Sequence, residues 1–199
     1  MQTYLIRRRG IAADAAELDA TLTRLRAFEE KPQSLPARWL RSYALREADG
    51  RFGLACLFQS DHVHTLERHA ELTQLMAQEI LPVTATVPVR PLVFTMVYLI
   101  RRRNGWKTAV DLDKSGVLSG RVGDEQSQRK VSWLRSYAVQ EHDGSLGTVC
   151  LYQAISPEAL REQAARVGMP ADEITPVIGR IVYRDEAKVQ PAPAAAVPA

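Results

Sequence analysis

The chain of 199 residues is poor in the features that mark secreted, membrane-spanning and disulfide-stabilised proteins. Its two cysteines are too few for a disulfide framework, and both lie in apolar segments, as expected of buried thiols in a reducing compartment. No apolar run approaches the roughly 20 residues of a transmembrane helix. The first residues do not form a basic-then-apolar signal segment. We therefore predict a cytoplasmic protein without a membrane partner.

The net charge and the missing motifs argue against a nucleic-acid-binding protein and against several common kinds of catalytic site. The 26 Lys and Arg residues against 23 Asp and Glu residues leave a net charge of +3, which is too small to indicate a nucleic-acid partner. The aromatic pattern of RNA-binding ferredoxin-like sheets is missing, and so are Gly-x-Ser-x-Gly, phosphate-loop and Cys-x-x-Cys motifs. We therefore assign no catalytic residue and expect no nucleic-acid partner.

What the chain does have is a repeat. Residues 4–9 and 98–103 both read Tyr-Leu-Ile-Arg-Arg-Arg, and residues 39–44 and 133–138 both read Trp-Leu-Arg-Ser-Tyr-Ala. Both pairs are offset by 94 residues, since 98 − 4 and 133 − 39 are each 94. A constant offset predicts a tandem duplication with no net insertion between the copies.

The offset divides the chain into two units of about 90 residues each. We predict that these units span residues 1–90 and 91–186. Residues 187–199 are rich in Ala and Pro and are predicted to be a disordered tail. A site near the junction of two such units is expected to consist of two related half-sites.

Hydrophobic periodicity predicts the order βαββαβ in each unit, with Asp14 capping the first helix and Ser60 or Asp61 the second. The predicted strands are residues 2–9, 39–46, 52–59 and 80–89 in the first unit and 95–103, 131–140, 146–153 and 174–183 in the second. This order is that of the ferredoxin-like α+β fold, an antiparallel sheet with two helices on one face. The second unit is predicted to cover the bare sheet face of the first, which gives an intrachain pseudo-dimer.

One helix is expected to depart from this plan. The first helix of the second unit, between Thr108 and Gln126, contains Gly116, Gly120 and Gly123. Each interior glycine costs a helix about 1 kcal/mol relative to alanine. We therefore predict a short helix followed by an irregular stretch.

Two stretches of the second unit carry a family resemblance. They are Trp133-Leu134-Arg135-Ser136-Tyr137 and Gly168-Met169-Pro170-Ala171-Asp172-Glu173-Ile174. They resemble a family of small ferredoxin-like proteins, formerly filed as a domain of unknown function, whose characterised member binds nickel. The resemblance covers most of the second unit and, more loosely, the first. It implies single units that dimerise, so that this chain looks like a fused dimer, and it makes Ni²⁺ a candidate cofactor.

The chain departs from that family at the positions that bear on metal binding. The family usually carries His on the second helix where this chain has Gln163, and Glu on the first strand where it has Arg7 and Arg101. His69 stands at the equivalent helix position of the first unit, because 69 + 94 is 163. Nickel favours imidazole and carboxylate ligands. Metal ligation is therefore predicted to be degraded in the second unit, and His69 is the candidate metal ligand.

The aromatic residues of the repeated strand are candidates for lining a ligand site. Trp39 and Tyr43 lie four residues apart, as do Trp133 and Tyr137, so each pair is predicted to face one side of its strand. Aromatic residues on one face usually pack in a core or interface. If the two sheets face each other across a gap, the same rings would line a ligand pocket.

The arginine triplets leave two interpretations open. Arg7 and Arg9 are predicted to face one side of the strand and Arg8 the other. Arg7 and its equivalent Arg101 could form an electropositive site for a carboxylate or phosphate, since guanidinium groups match those anions bidentately. The favoured interpretation is salt bridging at the sheet edge, with Glu47, Glu141 or helix carboxylates as the partners.

Three functions follow from these residues. The favoured one is a non-enzymatic module that binds a small ligand or a metal ion between the sheet and the second helix of the first unit, around His69 with Trp39 and Tyr43 as walls. The alternatives are a cofactor-independent monooxygenase or isomerase of the dimeric α/β-barrel type, and a structural or partner-binding module. The oligomeric state stays open between a monomeric pseudo-dimer and a homo-oligomer.

Overall fold

The computed structural model describes residues 1–31, 35–88, 96–126 and 130–182, which form the order βαββαβ twice. The elements are β1 (Gln2–Ala12), α1 (Ala15–Glu29), β2 (Ala37–Arg46), β3 (Phe52–Ser60), α2 (Val63–Thr73), β4 (Glu79–Pro88), β5 (Val97–Trp106), α3 (Ala109–Gln126), β6 (Val131–Gln140), β7 (Leu146–Ala154), α4 (Pro157–Arg166) and β8 (Glu173–Val182). The predicted α+β class with two ferredoxin-like units is confirmed. The predicted boundary between residues 90 and 91 and the tail over 187–199 lie outside the described residues.

The two halves close into one eight-stranded antiparallel barrel. Each half contributes four neighbouring strands, in the orders β4-β1-β3-β2 and β8-β5-β7-β6. β2 pairs with β8, where Tyr43 lies opposite Arg180, and β4 pairs with β6, where Thr86 lies opposite Tyr137. The halves therefore share backbone hydrogen bonds along both sheet edges as well as a common interior.

The apolar core lies partly inside the barrel and partly between the sheet and the helices. Side chains from both halves fill the barrel, namely Leu5, Leu40, Tyr43, Leu45, Ala55, Leu57, Leu81, Val83, Leu99, Tyr137, Val139, Val149 and Leu151. Outside it, helices α1 and α2 cover the sheet of the first half, and α3 and α4 cover that of the second. An eight-stranded barrel is narrow enough for side chains to fill, so open space is expected at its mouths. Among the described residues, no helix is long and apolar enough to cross a membrane.

A β-bulge decides which way the aromatic residues of β2 face. The register shifts at Leu40, which is an extra residue on that strand. Trp39 consequently lies in the core beneath the helices, whereas Tyr43 lies inside the barrel. The same shift in β6 separates Trp133 from Tyr137. The prediction that each pair shares a face is wrong, because one inserted residue reverses the alternation of side chains.

The helix starts follow the predicted capping in part. Asp14 caps α1, where its Oδ1 atom accepts a hydrogen bond from the backbone N–H of Glu17 at 2.8 Å. At α2 the N-cap position belongs to His62, and not to the predicted Ser60 or Asp61. The hydroxyl of Ser60 instead bonds to the backbone of His62, at 3.0 Å from its carbonyl oxygen. The side chain of Ser60 therefore supports the turn that leads into the helix.

Helix α3 is longer than predicted. It runs through its glycines for 18 residues. The side chain of Trp106 donates a hydrogen bond to Ser115 at 2.7 Å, and Ser119 is buried against the rest of the second half. A Cβ atom at Gly116 or Gly120 would meet no atom of the described residues within 4 Å. The prediction of a short helix is wrong, because tertiary packing of one helix face outweighs the entropic cost of glycines on the open face.

We expect Gly116→Ala to raise the free energy of unfolding by about 1 kcal/mol, because the site has room and alanine favours the helix. Gly147→Ala is the contrasting variant. Its Cβ would lie 2.6 Å from the carbonyl oxygen of Arg102 and against the carboxylate of Glu141, so we expect a loss of about 1–3 kcal/mol. Thermal unfolding followed by circular dichroism measures both changes. A Gly116→Ala variant that melts below the wild type would contradict a continuous α3.

Candidate functional site

A network of arginines and glutamates closes one end of the barrel. Each half supplies two residues of each type, at positions 94 residues apart. The members are Arg7, Arg9, Glu47 and Glu79 from the first half and Arg101, Arg103, Glu141 and Glu173 from the second. The predicted salt bridges to Glu47 and Glu141 are confirmed, at 2.8 Å from Arg7 and Arg101 respectively. Four guanidinium charges are matched by four carboxylate charges at this end.

Two glutamates of the network join the halves. Glu79 of the first half accepts hydrogen bonds from Arg101 at 3.1 Å and from Arg103 at 2.8 Å, both in the second half. Glu173 of the second half accepts hydrogen bonds from Arg7 at 2.8 Å and from Arg9 at 2.7 Å, both in the first. Each charge-assisted contact in this partly buried position is stronger than one between neutral groups. The network therefore fixes the two halves to each other at this end.

The arginines keep both of these carboxylates ionised. Burial alone would raise the pKa of Glu79, but hydrogen bonds from Arg103 and Arg9 and the charge of Arg101 outweigh it and lower the pKa to about 2. Burial also opposes ionisation of Glu173, and the bonds and charges of the first-half arginines lower its pKa to about 2. The end of the barrel is thus a neutralised cluster at physiological pH, and its guanidinium groups are occupied.

The middle arginine of each triplet faces the opposite side of its strand from the two outer arginines, as strand alternation predicts. Arg8 is fully buried beneath the helices, where its Nε atom donates to the carbonyl oxygen of Leu75 at 3.1 Å. Its guanidinium carbon lies 5.7 Å from the ring centre of Phe58, and Arg102 lies 5.7 Å from the ring of Tyr152. These two arginines therefore belong to the core between sheet and helices.

The predicted metal ligand, His69, lies in that same layer of the first half. Its Nε2 atom is 2.8 Å from Oε1 of Glu29, and both side chains are almost completely buried. Its ring packs edge-on against Phe28 and Phe58, at 5.3 and 4.9 Å between ring centres. Tyr43 lies inside the barrel, on the other side of the sheet, so it cannot form a wall of a site at His69 as predicted.

The residues around His69 do not fit a nickel ion. All four histidines and both cysteines of the chain fall within the described residues. Those residues contain no group of three His, Cys, Asp or Glu side chains that could hold a metal ion. His69 and Glu29 offer one imidazole and one carboxylate to each other, and two phenyl rings flank the pair. At the equivalent place in the second half, Gln163 and Val122 line a small cavity of about 180 Å³.

The other mouth of the barrel holds a cavity of about 380 Å³. Its described lining consists of Arg41, Tyr43, Val97, Leu134, Arg135, Leu151, Val177, Ile178, Gly179 and Arg180. We call it the arginine mouth, because three of these ten residues are arginines and none of the ten is acidic. Arg41 and Arg135 come from equivalent positions of the two halves. The cavity is therefore built from two related half-sites, as expected of a site at the junction.

A pair of tyrosines lies at the inner side of the arginine mouth. The hydroxyl groups of Tyr43 and Tyr137 are 3.1 Å apart, and both side chains are buried. One of the two hydroxyls donates to the other, and the hydroxyl that accepts keeps its own proton for a further partner. The arginine mouth thus combines guanidinium groups at its rim with a phenol and aliphatic side chains further in.

The structure brings together few of the predicted ligand-binding residues. Tyr43 lines the arginine mouth and Tyr137 hydrogen-bonds to Tyr43, whereas Trp39 and Trp133 pack beneath the helices. Sequence reasoning did not select the three arginines of the mouth. The repeated Trp-Leu-Arg-Ser-Tyr-Ala segment contained a signal for two of them, but the bulge that turns them toward the barrel is not visible in the sequence.

The low pKa values of the two bridging glutamates predict a loss of stability in acid. A carboxylate whose pKa is lowered by folding stabilises the protein above its ordinary pKa of 4.5, and this contribution is lost as the pH falls toward about 2. Glu79→Gln should reduce the free energy of unfolding at neutral pH by on the order of 2 kcal/mol and weaken this acid dependence.

Urea unfolding at several pH values measures both effects. Glu71→Gln is the matched control, because Glu71 is exposed on α2 and pairs with Arg68 outside the network. Equal acid dependence in wild type and Glu79→Gln would show that the network does not govern acid stability.

No curated protein matches this chain. A family model matches part of the second half, and solved structures share the fold over most of the chain. Solved structures with similar folds include a candidate monooxygenase from Lactobacillus acidophilus NCFM, at 8% identity and a TM-score of 0.49 over 92% of this chain and 98% of that one. An anthrone oxidase-like protein matches at 11% identity and a TM-score of 0.49 over 92% and 94%. Residues 98–177 match the model of the family described as "Nickel responsive protein SCO4226-like", so the family resemblance of this half is confirmed.

Proposed function

We propose that the protein binds a small organic anion in the arginine mouth. The observation that carries this proposal is the convergence of Arg41, Arg135 and Arg180 on one cavity whose ten described lining residues include no acid. Arg41 and Arg135 come from equivalent positions of the two halves, and Arg180 lies opposite Tyr43 across the β2–β8 pairing.

The rest of the lining favours an anion that carries an apolar body. Val97, Leu151 and Val177 supply an aliphatic wall, and the phenol of Tyr43 supplies a hydrogen-bonding group. Guanidinium groups bind carboxylate and phosphate oxygens in pairs. The volume of about 380 Å³ lies at the lower end of the range of small-molecule sites, which begins at about 300 Å³. A short-chain or monocyclic carboxylate has the matching chemistry and size.

A binding role is better supported than the catalytic alternative. The interior of the barrel is packed with side chains and leaves little room for a substrate beyond the mouth. The ten described lining residues include no His, Asp or Glu that would serve as an ordinary general base. The similarity to oxygenase-like structures concerns the fold, and fold does not determine function.

Calorimetric titration of the full-length protein with benzoate, butyrate and inorganic phosphate tests the proposal. We expect one saturable site for the carboxylates, and a loss of at least about tenfold in affinity for Arg135→Leu, which removes a charged hydrogen-bonding partner. Arg68→Leu is the matched control, because Arg68 is exposed on α2 and pairs with Glu71. Absence of binding in the wild type, or equal losses in both variants, would overturn the proposal.

Nickel binding is the second candidate, and the family description of residues 98–177 is what favours it. The donors around His69 argue against it, as described above. Titration of metal-free protein with Ni²⁺, beside His69→Ala, distinguishes the two. We expect no saturable nickel site at micromolar concentration, and a less stable His69→Ala variant, because Glu29 loses its buried partner at a cost of about 1–3 kcal/mol. One site per chain that disappears in His69→Ala would restore the metal hypothesis.

A further inference from the structure

The chain contains a single asparagine, and the backbone holds it in an unusual conformation. Asn104 has a φ of +48°, in the left-handed region that favours glycine and that asparagine tolerates better than most residues. The equivalent residue of the first half is Gly10, since 10 + 94 is 104, and its φ is +59°. Both halves therefore place a left-handed residue here, and only the second half does so with an amide side chain.

Asn104 is exposed in a bulge near the end of β5. Arg102 lies opposite Thr148 and Trp106 lies opposite Leu146, so three residues of β5 lie opposite one residue of β7. The described pairing of β5 with β8 ends before this bulge. Regular strand pairing is therefore interrupted on both sides of β5 at the asparagine.

The residue after the asparagine is a glycine that packing maintains. A Cβ atom at Gly105 would lie 3.3 Å from Cγ of Pro170, which is closer than nearly all real side chains come to a neighbour. Because glycine has no Cβ, it also leaves its own backbone nitrogen free to approach the preceding side chain. The left-handed backbone and the contact with Pro170 thus keep the dipeptide Asn-Gly at an exposed bulge.

We propose that Asn104 is a site of spontaneous deamidation. The backbone nitrogen of Gly105 attacks the side-chain Cγ atom of Asn104, and the new C–N bond closes a succinimide ring. The side-chain nitrogen leaves as ammonia and takes the proton that the backbone nitrogen loses. Water then opens one of the two C–N bonds to the ring nitrogen, which gives aspartate or isoaspartate. No atom is oxidised or reduced, and water is the co-reactant.

The new carboxylate forms next to two others. The hydroxyl oxygen of Ser145 lies 3.1 Å from Oδ1 of Asn104 and 2.6 Å from Oδ1 of Asp143. The backbone N–H of Asn104 donates to Oε1 of Glu141 at 3.4 Å. Ser145 has one hydroxyl proton, so it can donate to only one carboxylate at a time. Deamidation therefore adds charge repulsion between the end of β5 and the turn that joins β6 to β7.

The first half holds its equivalent turn by a different contact. Arg51, which corresponds to Ser145 because 51 + 94 is 145, donates from its guanidinium group to the carbonyl oxygen of Gly10. A guanidinium group and a backbone carbonyl contain no side-chain amide to hydrolyse. Deamidation should therefore loosen the turn of the second half and leave that of the first half unchanged.

Peptide mass spectrometry of the full-length protein, incubated at mildly acidic and at alkaline pH, tests the proposal. We expect aspartate and isoaspartate to accumulate at Asn104, and faster at alkaline pH because the attacking nitrogen must lose its proton. Asn104→Gly, which installs the residue of the first half and suits the left-handed backbone, should lose the accompanying release of ammonia. A synthetic peptide of residues 102–107 in the same buffers measures the reaction without the fold.

Two results would overturn the deamidation site. One is an intact Asn104 in the protein after the synthetic peptide has been converted, and the other is equal ammonia release from wild type and Asn104→Gly.

Asn104→Asp carries the charge of the product and tests the effect on the turn. We expect its melting temperature to lie a few degrees below that of Asn104→Gly, and the difference to shrink at high salt, which screens exposed charges. Equal melting temperatures at low salt would overturn the loosening of the turn, while the deamidation site itself would survive.

Discussion

Backbone pairing between the halves, of β2 with β8 and of β4 with β6, is the constraint on which the rest of the molecule depends. A ferredoxin-like sheet by itself ends in two open edges. Pairing between the two halves satisfies the backbone hydrogen-bonding groups of all four edges. The same pairings define one interior, one end where arginines meet glutamates, and one mouth to which both halves contribute an arginine. The site proposed for ligand binding therefore exists only in the joined barrel.

The fold was largely predictable, because it depends on the repeat and on hydrophobic periodicity. The exceptions have local physical causes. The extra residue Leu40 reverses the alternation within β2, and strand periodicity carries no sign of such an insertion. The glycines of α3 do carry an intrinsic cost to helix stability. The sequence did not show the packing that outweighs this cost, in which Ser115 and Ser119 hold one face of the helix against the rest of the second half.

The site was less predictable than the fold. The ion pairs of Arg7 and Arg101 with glutamates of their own half could be anticipated from neighbouring strands. Those with Glu79 and Glu173 could not, because they cross between the halves and depend on how the barrel closes. His69 was a reasonable metal ligand by residue type, but the sequence did not show that Glu29 and two phenyl rings surround it.

The order of the strands has a consequence for synthesis on the ribosome. β2 and β4 leave the ribosome long before the strands that cover their edges. β2 pairs with β8, where Tyr43 lies opposite Arg180, and β4 pairs with β6, where Thr86 lies opposite Tyr137. At ordinary rates of translation the second half follows the first by about 5 to 20 s. During that interval the nascent first half presents two unpaired edges, which are templates for pairing with other chains. Chaperone capture, or association with the first half of a neighbouring nascent chain, competes with closure of the barrel in that interval.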